Sequence, residues 1–124
     1  MQTPAEGPPS QQIAVTVERA GDTIILHVTG EIDLLTAAVL GERLREHLDP
    51  SSRMLVLNLT EVSFLGSAGL AEIVSASQTG ADLGARLVLV ATNRAVLRPL
   101  EVTGLLSLFT VYETVEAAIA AAGE

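Results

Sequence analysis

The chain contains no cysteine, no tryptophan and no lysine. Without cysteine it can form neither disulfides nor thiolate metal sites. Without lysine it has no phosphate-binding loop of the G-x-x-x-x-G-K-[ST] kind, which needs an ammonium on the phosphates. The short "GSAG" at 66–69 also lacks that spacing. Aromatic residues are only 2% of the chain, too few for a surface that stacks on bases. Positive charge is scarce too, with 7 arginines against 15 acidic residues and a net charge of −8. That balance opposes nucleic acid and anionic membranes through long-range repulsion. No apolar run approaches the ~20 residues of a bilayer span, and nothing at the N-terminus reads as a signal peptide. A cytoplasmic soluble domain is expected.

What is present suits one domain. The chain has 124 residues and is 48% hydrophobic, enough Val, Leu, Ile and Ala for a single core. Residues 1–11, "MQTPAEGPPSQ", are rich in Pro, Gly and polar side chains and read as a disordered arm before a folded domain over 12–124. "IAVTVER" and "TIILHVTG" are β-branched runs separated by "AGD", which predicts an antiparallel hairpin. Over 36–48 the period changes, with Ala37, Leu40, Leu44 and Leu48 on one helical face. "RMLVLNLT" is an apolar strand suited to burial on both sides. A helix is predicted from Ser67 to about Thr79, stopped by Gly80. "ARLVLVA" (85–91) reads as another buried strand, 93–103 as a helix that Pro99 should bend or shorten, "LFTVY" as a short last strand and "ETVEAAIAAAG" as a final helix.

A hairpin followed by helix–strand units predicts an α/β fold. Its mixed sheet is antiparallel at the start and parallel afterwards, with about four helices. The loops 30–36, 61–67 and 91–94 then meet at the C-terminal ends of parallel strands, the edge where open α/β sheets bind ligands and partners. Ser67 lies on that edge.

The chemistry open to Ser67 is narrow. A hydrolase elbow needs G-x-S-x-G, and Leu65 stands where the first glycine should be. No base is at hand either, since His27 lies in mid-strand and His47 at a helix end. Glu31 and Asp33 have no evident third ligand for a metal. The "NLT" at 58–60 matches a glycosylation sequon by chance, inside a predicted strand. The structural alternative for Ser67 is a helix N-cap, and for Asp33 a helix-entry cap or a solvated loop charge. No catalytic residue, metal site or cofactor is expected, so an enzyme is the least supported class.

"GEIDLLTA" (30–37) followed by "VSFLGSAGL" (62–70) resembles the STAS family, in particular bacterial anti-sigma factor antagonists. The resemblance covers nearly the whole chain. It implies the STAS fold, and a protein that binds an anti-sigma factor and so frees a sigma factor for transcription. It also implies that the anti-sigma factor is a GHKL-type serine kinase which ends the interaction by phosphorylation, reversed by a phosphatase. Ser67 matches the serine the family phosphorylates, and Asp33 an acidic residue near the partner surface. Gly69 and Leu70 match the glycine and leucine of the family's D-S-S-G-L motif. Gly66 stands where the family has aspartate, and Ala68 where it has a second serine. The implied partner-binding set is Glu31, Asp33, Thr36, Gly66, Ser67, Ala68, Gly69 and Leu70. Alternatives are a STAS subunit of another assembly, such as a lipid-transport or stress-signalling complex, and a small-molecule-sensing STAS domain.

Overall fold

The computed structural model describes residues 13–49 and 51–122; the arm expected at 1–11 lies outside them. β1 (Ile13–Ala20) and β2 (Thr23–Ile32) pair antiparallel with Ala20 opposite Thr23. Only Gly21 and Asp22 connect them, and Gly21 has φ +63°, the left-handed backbone that a two-residue hairpin turn requires and glycine adopts freely. The chain continues through α1 (Ala37–His47), β3 (Met54–Leu65), α2 (Ser67–Leu83), β4 (Arg86–Val90), α3 (Arg94–Val102), β5 (Val111–Tyr112) and α4 (Val115–Ala122). The sheet order is β1-β2-β3-β4-β5, with every pairing after the first parallel. This is the architecture expected from the pattern of runs.

Alternation along the central strands separates two cores. Leu26, Leu55, Leu57 and Leu89 face Leu40 and Leu44 of α1, Ile73 of α2 and Val96 and Leu100 of α3. Their neighbours Ile25, Val56, Val88 and Val90 face the other way, onto Ala118 of α4. Strands buried on both sides must be apolar at nearly every position, as "RMLVLNLT" is.

Three expectations are corrected. β3 runs on to Leu65, so 61–65 is strand and not loop. α2 passes through Gly80 and is capped by Gly84 at φ +80°. Gly80 is instead a packing glycine, since a Cβ there would lie 2.9 Å from the Ala85 carbonyl. In place of a strand over 108–112, Leu105–Leu108 form a one-turn 3-10 helix, leaving only Val111–Tyr112 to pair with β4. Pro99 lies inside α3, which ends at Val102 with the Thr103 hydroxyl donating to the Pro99 carbonyl at 2.7 Å.

Candidate functional site

β2, β3 and β4 run parallel, so their C-terminal ends form one edge, and backbone hydrogen bonds close it. Beyond the Ile32–Leu65 pair, the Gly66 N–H donates to the Ile32 carbonyl at 2.9 Å. The turns that follow β2 and β3 are therefore neighbours, and Ser67 and Asp33 each come one residue after a member of that bonded pair. The turn after β4 joins them through Asn93, whose side-chain amide donates to the carbonyls of Leu59 (3.1 Å) and Val62 (2.7 Å).

Ser67 is exposed and does not cap its helix. The N-cap is Gly66, with φ −93° and ψ 178°, and among the described residues no side chain hydrogen-bonds the start of α2. Serine falls one residue inside the helix, so the capping alternative does not hold. Leu70 makes the first intrahelical bond, to the Gly66 carbonyl at 3.1 Å. The N–H groups of Ser67, Ala68 and Gly69 consequently have no intrahelical acceptor, and with the helix dipole they make this terminus receptive to an anion. Gly69 allows α2 to sit this close to the sheet. A Cβ there would lie 2.4 Å from Cγ2 of Ile32 and 2.8 Å from Cδ1 of Leu65.

Asp33 organises the turn before α1. Its Oδ1 accepts the N–H groups of Leu35 (2.9 Å) and Thr36 (3.0 Å). Thr36 is fully buried; its hydroxyl accepts the Asp33 N–H at 2.9 Å and donates to the Glu31 carbonyl at 2.7 Å. Hydrogen bonds to the charged form, led by the Thr36 N–H, hold the Asp33 carboxyl below its ordinary 3.8. Asp33 is thus ionised and fixed, holding the turn that leads into α1, and its half-buried side chain leaves the charge at the edge.

The remaining members of the set divide by burial. Glu31 is exposed, Gly66 and Ala68 are half-buried, and Gly69 and Leu70 are buried in the helix–sheet contact. Three apolar side chains that the motifs did not mark stand out beside them: Leu34 (82% exposed), Leu35 (67%) and Phe64 (50%). For Leu34 and Leu35 the signal in the sequence was a pair of leucines inside a turn, where no core face can take both. With Glu31 and Glu61 exposed nearby, the edge is apolar with an acidic rim.

Residues 14–118 match the family model for the STAS domain. The chain belongs to the STAS domain family. Among relatives of this STAS domain, the anti-sigma-F factor antagonist RsfB of Mycobacterium tuberculosis is 35% identical over 107 residues, covering 86% of this chain and 87% of its own. The anti-sigma-B factor antagonist of Listeria monocytogenes is 36% identical over 88 residues, 71% of this chain and 77% of its own. The crystal structure of an anti-sigma factor antagonist from Mycobacterium paratuberculosis is similar at a TM-score of 0.85 and 31% identity, covering 94% of this STAS domain and 98% of that chain. Among the described residues no helix is long and apolar enough to cross a membrane, and no cluster of three or more His, Asp or Glu could hold a metal.

His27 of this STAS domain lies on the opposite sheet face, in a polar chain. The Thr60 N–H and hydroxyl donate to Asn58 Oδ1, which turns the Asn58 amide toward His27 Nδ1 at 2.9 Å. The His27 Nε2–H then donates to Glu18 at 2.8 Å. Both ring nitrogens are occupied, so His27 is not a base for Ser67.

Proposed function

We propose that this STAS domain is an anti-sigma factor antagonist. It binds an anti-sigma factor through the Ser67 edge and so frees a sigma factor for transcription. Phosphorylation of Ser67 by that anti-sigma factor, acting as a GHKL-type serine kinase, ends the contact, and a phosphatase restores it. The observation that carries this reading is the exposed, uncapped Ser67 hydroxyl at the head of α2, beside the fixed Asp33 turn and the exposed Leu34, Leu35 and Phe64. The names of its relatives support the partner class. On this reading the chain is the substrate of an enzyme and not itself a catalyst.

The apolar side chains give a partner area to desolvate, and the acidic rim favours a basic counterpart. Thr36, Gly69 and Leu70 act from below, since they are buried, by setting the shape of the edge. In the transfer step the Ser67 oxygen attacks the γ-phosphorus of ATP, the bond to the β-phosphate oxygen breaks, and the hydroxyl proton passes to a base on the kinase. The product is locally tolerated by the free N–H groups of α2, so the fold need not change. The cost falls on the complex, where a charge of about −1.5 to −2 must be desolvated. It adds to the negative charge that Glu31 and Asp33 bring to the neighbouring turn, and two like unit charges about 6 Å apart cost nearly 3 kcal/mol at an effective dielectric of about 20.

The test starts from a pull-down with the wild-type chain in its native host, followed by binding isotherms with the purified anti-sigma factor. Ser67→Ala should bind within about threefold of wild type. Ser67→Glu should bind roughly a hundredfold more weakly, the equivalent of one such charge pair. Equal affinities for the two variants, both folded, would place Ser67 outside the contact and sink the reading.

A further inference from the structure

The half of β3 that leads into Ser67 has little regular pairing to hold it. β4 pairs with β3 only from Met54 to Asn58. On the other side the register with β2 slips twice. His27 pairs with Asn58 but Thr29 with Glu61, and Gly30 pairs with Val62 but Glu31 with Phe64. Each slip puts an extra residue on β3, as in a β-bulge. The first turns the Val62 carbonyl to the side left open where β4 ends, the side of the Leu59 carbonyl. Both residues are buried, so these carbonyls need a donor from the protein.

Asn93 supplies it. Asparagine at the start of a helix ordinarily caps that helix with its side-chain oxygen. Asn93 is the N-cap of α3, with φ −89° and ψ 140°, yet its side chain makes no cap bond. Its oxygen accepts the Thr92 N–H at 3.2 Å, and its amide donates to Leu59 and Val62 across the gap. Only its backbone carbonyl serves α3, accepting from Val96 and Leu97. On the opposite face the Thr60 N–H, inside the first slip, is taken by Asn58. Among the described residues the irregular stretch is thus held by two asparagine side chains, of which Asn93 bonds both sides of the bulge.

We propose that Asn93 is a positioning residue for the Ser67 edge: its amide replaces the missing strand beside Leu59–Val62 and fixes where β3 delivers Gly66 and Ser67. The proposal rests on the reading of that edge as the partner surface. Removing the donor frees the end of β3 to shift against β2, while the paired half of the strand and the core under α4 stay in place.

The test compares wild type with Asn93→Asp and Asn93→Ser. Both keep a good N-cap residue, but the first sets an oxygen against two carbonyls and the second is too short to reach them. Amide hydrogen exchange is measured on the full chain without a partner. The Gly66 N–H, which reports the bond to Ile32, should exchange about tenfold faster relative to the Leu57 N–H, the effect of one lost buried hydrogen bond. Affinity for the purified anti-sigma factor, per folded molecule, should fall by about tenfold or more on the same scale. Ile25→Val, which removes a methylene from the core under α4, serves as a control for general destabilisation and should leave both readouts unchanged. Should Asn93→Asp fail to fold, Asn93→Ser carries the test. Unchanged Gly66 exchange overturns the proposal, as does faster exchange with unaltered affinity, or an equal affinity loss in Ile25→Val. If the wild type captures no anti-sigma factor, the reading of the function falls instead, and Gly66 exchange alone decides whether Asn93 holds the edge.

Discussion

The two halves of β3 are built differently. From Met54 to Asn58 the strand is flanked in register on both sides, and Leu55, Val56 and Leu57 are fully buried. From Leu59 to Leu65 one neighbour is gone, the other is out of step, and Glu61, Ser63 and Phe64 are exposed. The first half is buried on both faces, whereas the second buries only Leu59, Val62 and Leu65, all on one. The second half is an irregular backbone locked by side chains, and it carries the edge proposed as the partner surface. One strand can serve both ends because register and burial change together at the bulge.

The largest effect that would test this division is in the first half. Leu57→Ala should destabilise the protein by about 3 kcal/mol, the usual cost of a cavity at a fully buried leucine. Affinity for the anti-sigma factor, corrected to the folded fraction, should be unchanged. Denaturant titration and calorimetry check the two parts, and a loss of affinity beyond the unfolded fraction would mean that the halves are not separable. Gly69→Ala should be next, at about 1–3 kcal/mol, because the new methyl must displace Ile32 or Leu65. Unlike Leu57→Ala it should also weaken binding, since it moves the start of α2 away from the edge. A variant that is destabilised but binds normally would show that Ser67 tolerates such a shift.

The same division explains what could be read from the sequence. The paired half announces itself, because "MLVLNL" is apolar on both faces and the helices around it keep a steady period. The end of the strand does not, because the two slips break the alternation and "EVSFLGS" reads as a loop. Gly80 and Gly84 look equally able to end α2, and only the left-handed backbone at Gly84 against the close contact at Gly80 separates them. The strand order placed Ser67 and Asp33 on one edge, and the motif added Gly69. It could not show that Ser67 lies one residue past the cap, or that Leu34, Leu35 and Phe64 face outward. Asn93 was legible only as a helix start, since its partners are more than thirty residues away in the chain.

A smaller effect sharpens the role of Asp33, which belongs to the irregular edge by charge and to the fold by hydrogen bonding. Its carboxyl is held below the ordinary 3.8 in the folded state. The stabilisation from its charged form is therefore complete above that value and lost as pH falls through the lower folded one. Asp49 adds to the same acid limb, held down chiefly by the Ser51 hydroxyl. Asp33→Asn keeps an oxygen acceptor but no charge, so the melting temperature should drop by only a few degrees at pH 7. Below about pH 4 the variant should lose less stability than wild type. Affinity should fall roughly three- to tenfold through the lost rim charge. Thermal melts that stay parallel from pH 7 to pH 2.5 would show that the charge on Asp33 contributes nothing to the turn.

The smallest effect on stability is expected at Gly66, where the edge departs from the family's aspartate. The backbone there, at φ −93°, accepts any residue, and the added Cβ would meet Cε2 of Phe64 at 3.1 Å and Cζ at 3.4 Å. That ring is half exposed and can give way. Aspartate at an N-cap gains only a few tenths of a kcal/mol over glycine, so Gly66→Asp should move the melting temperature by less than about 2 °C. Its kinetic effect should be far larger than its thermodynamic one. Phosphoryl transfer depends on the alignment of the acceptor, and a carboxylate beside Ser67 can orient the hydroxyl or the kinase-bound metal. Transfer of labelled phosphate from ATP by the anti-sigma factor should be about tenfold faster in Gly66→Asp than in wild type, and absent in Ser67→Ala. Binding of the unphosphorylated form should change by less than about threefold. A slower transfer would mean that the kinase supplies the alignment itself and that a second carboxylate repels ATP. No transfer to either serine-containing chain, by a kinase active on another substrate, would leave the Ser67 edge a binding surface without a phosphate switch.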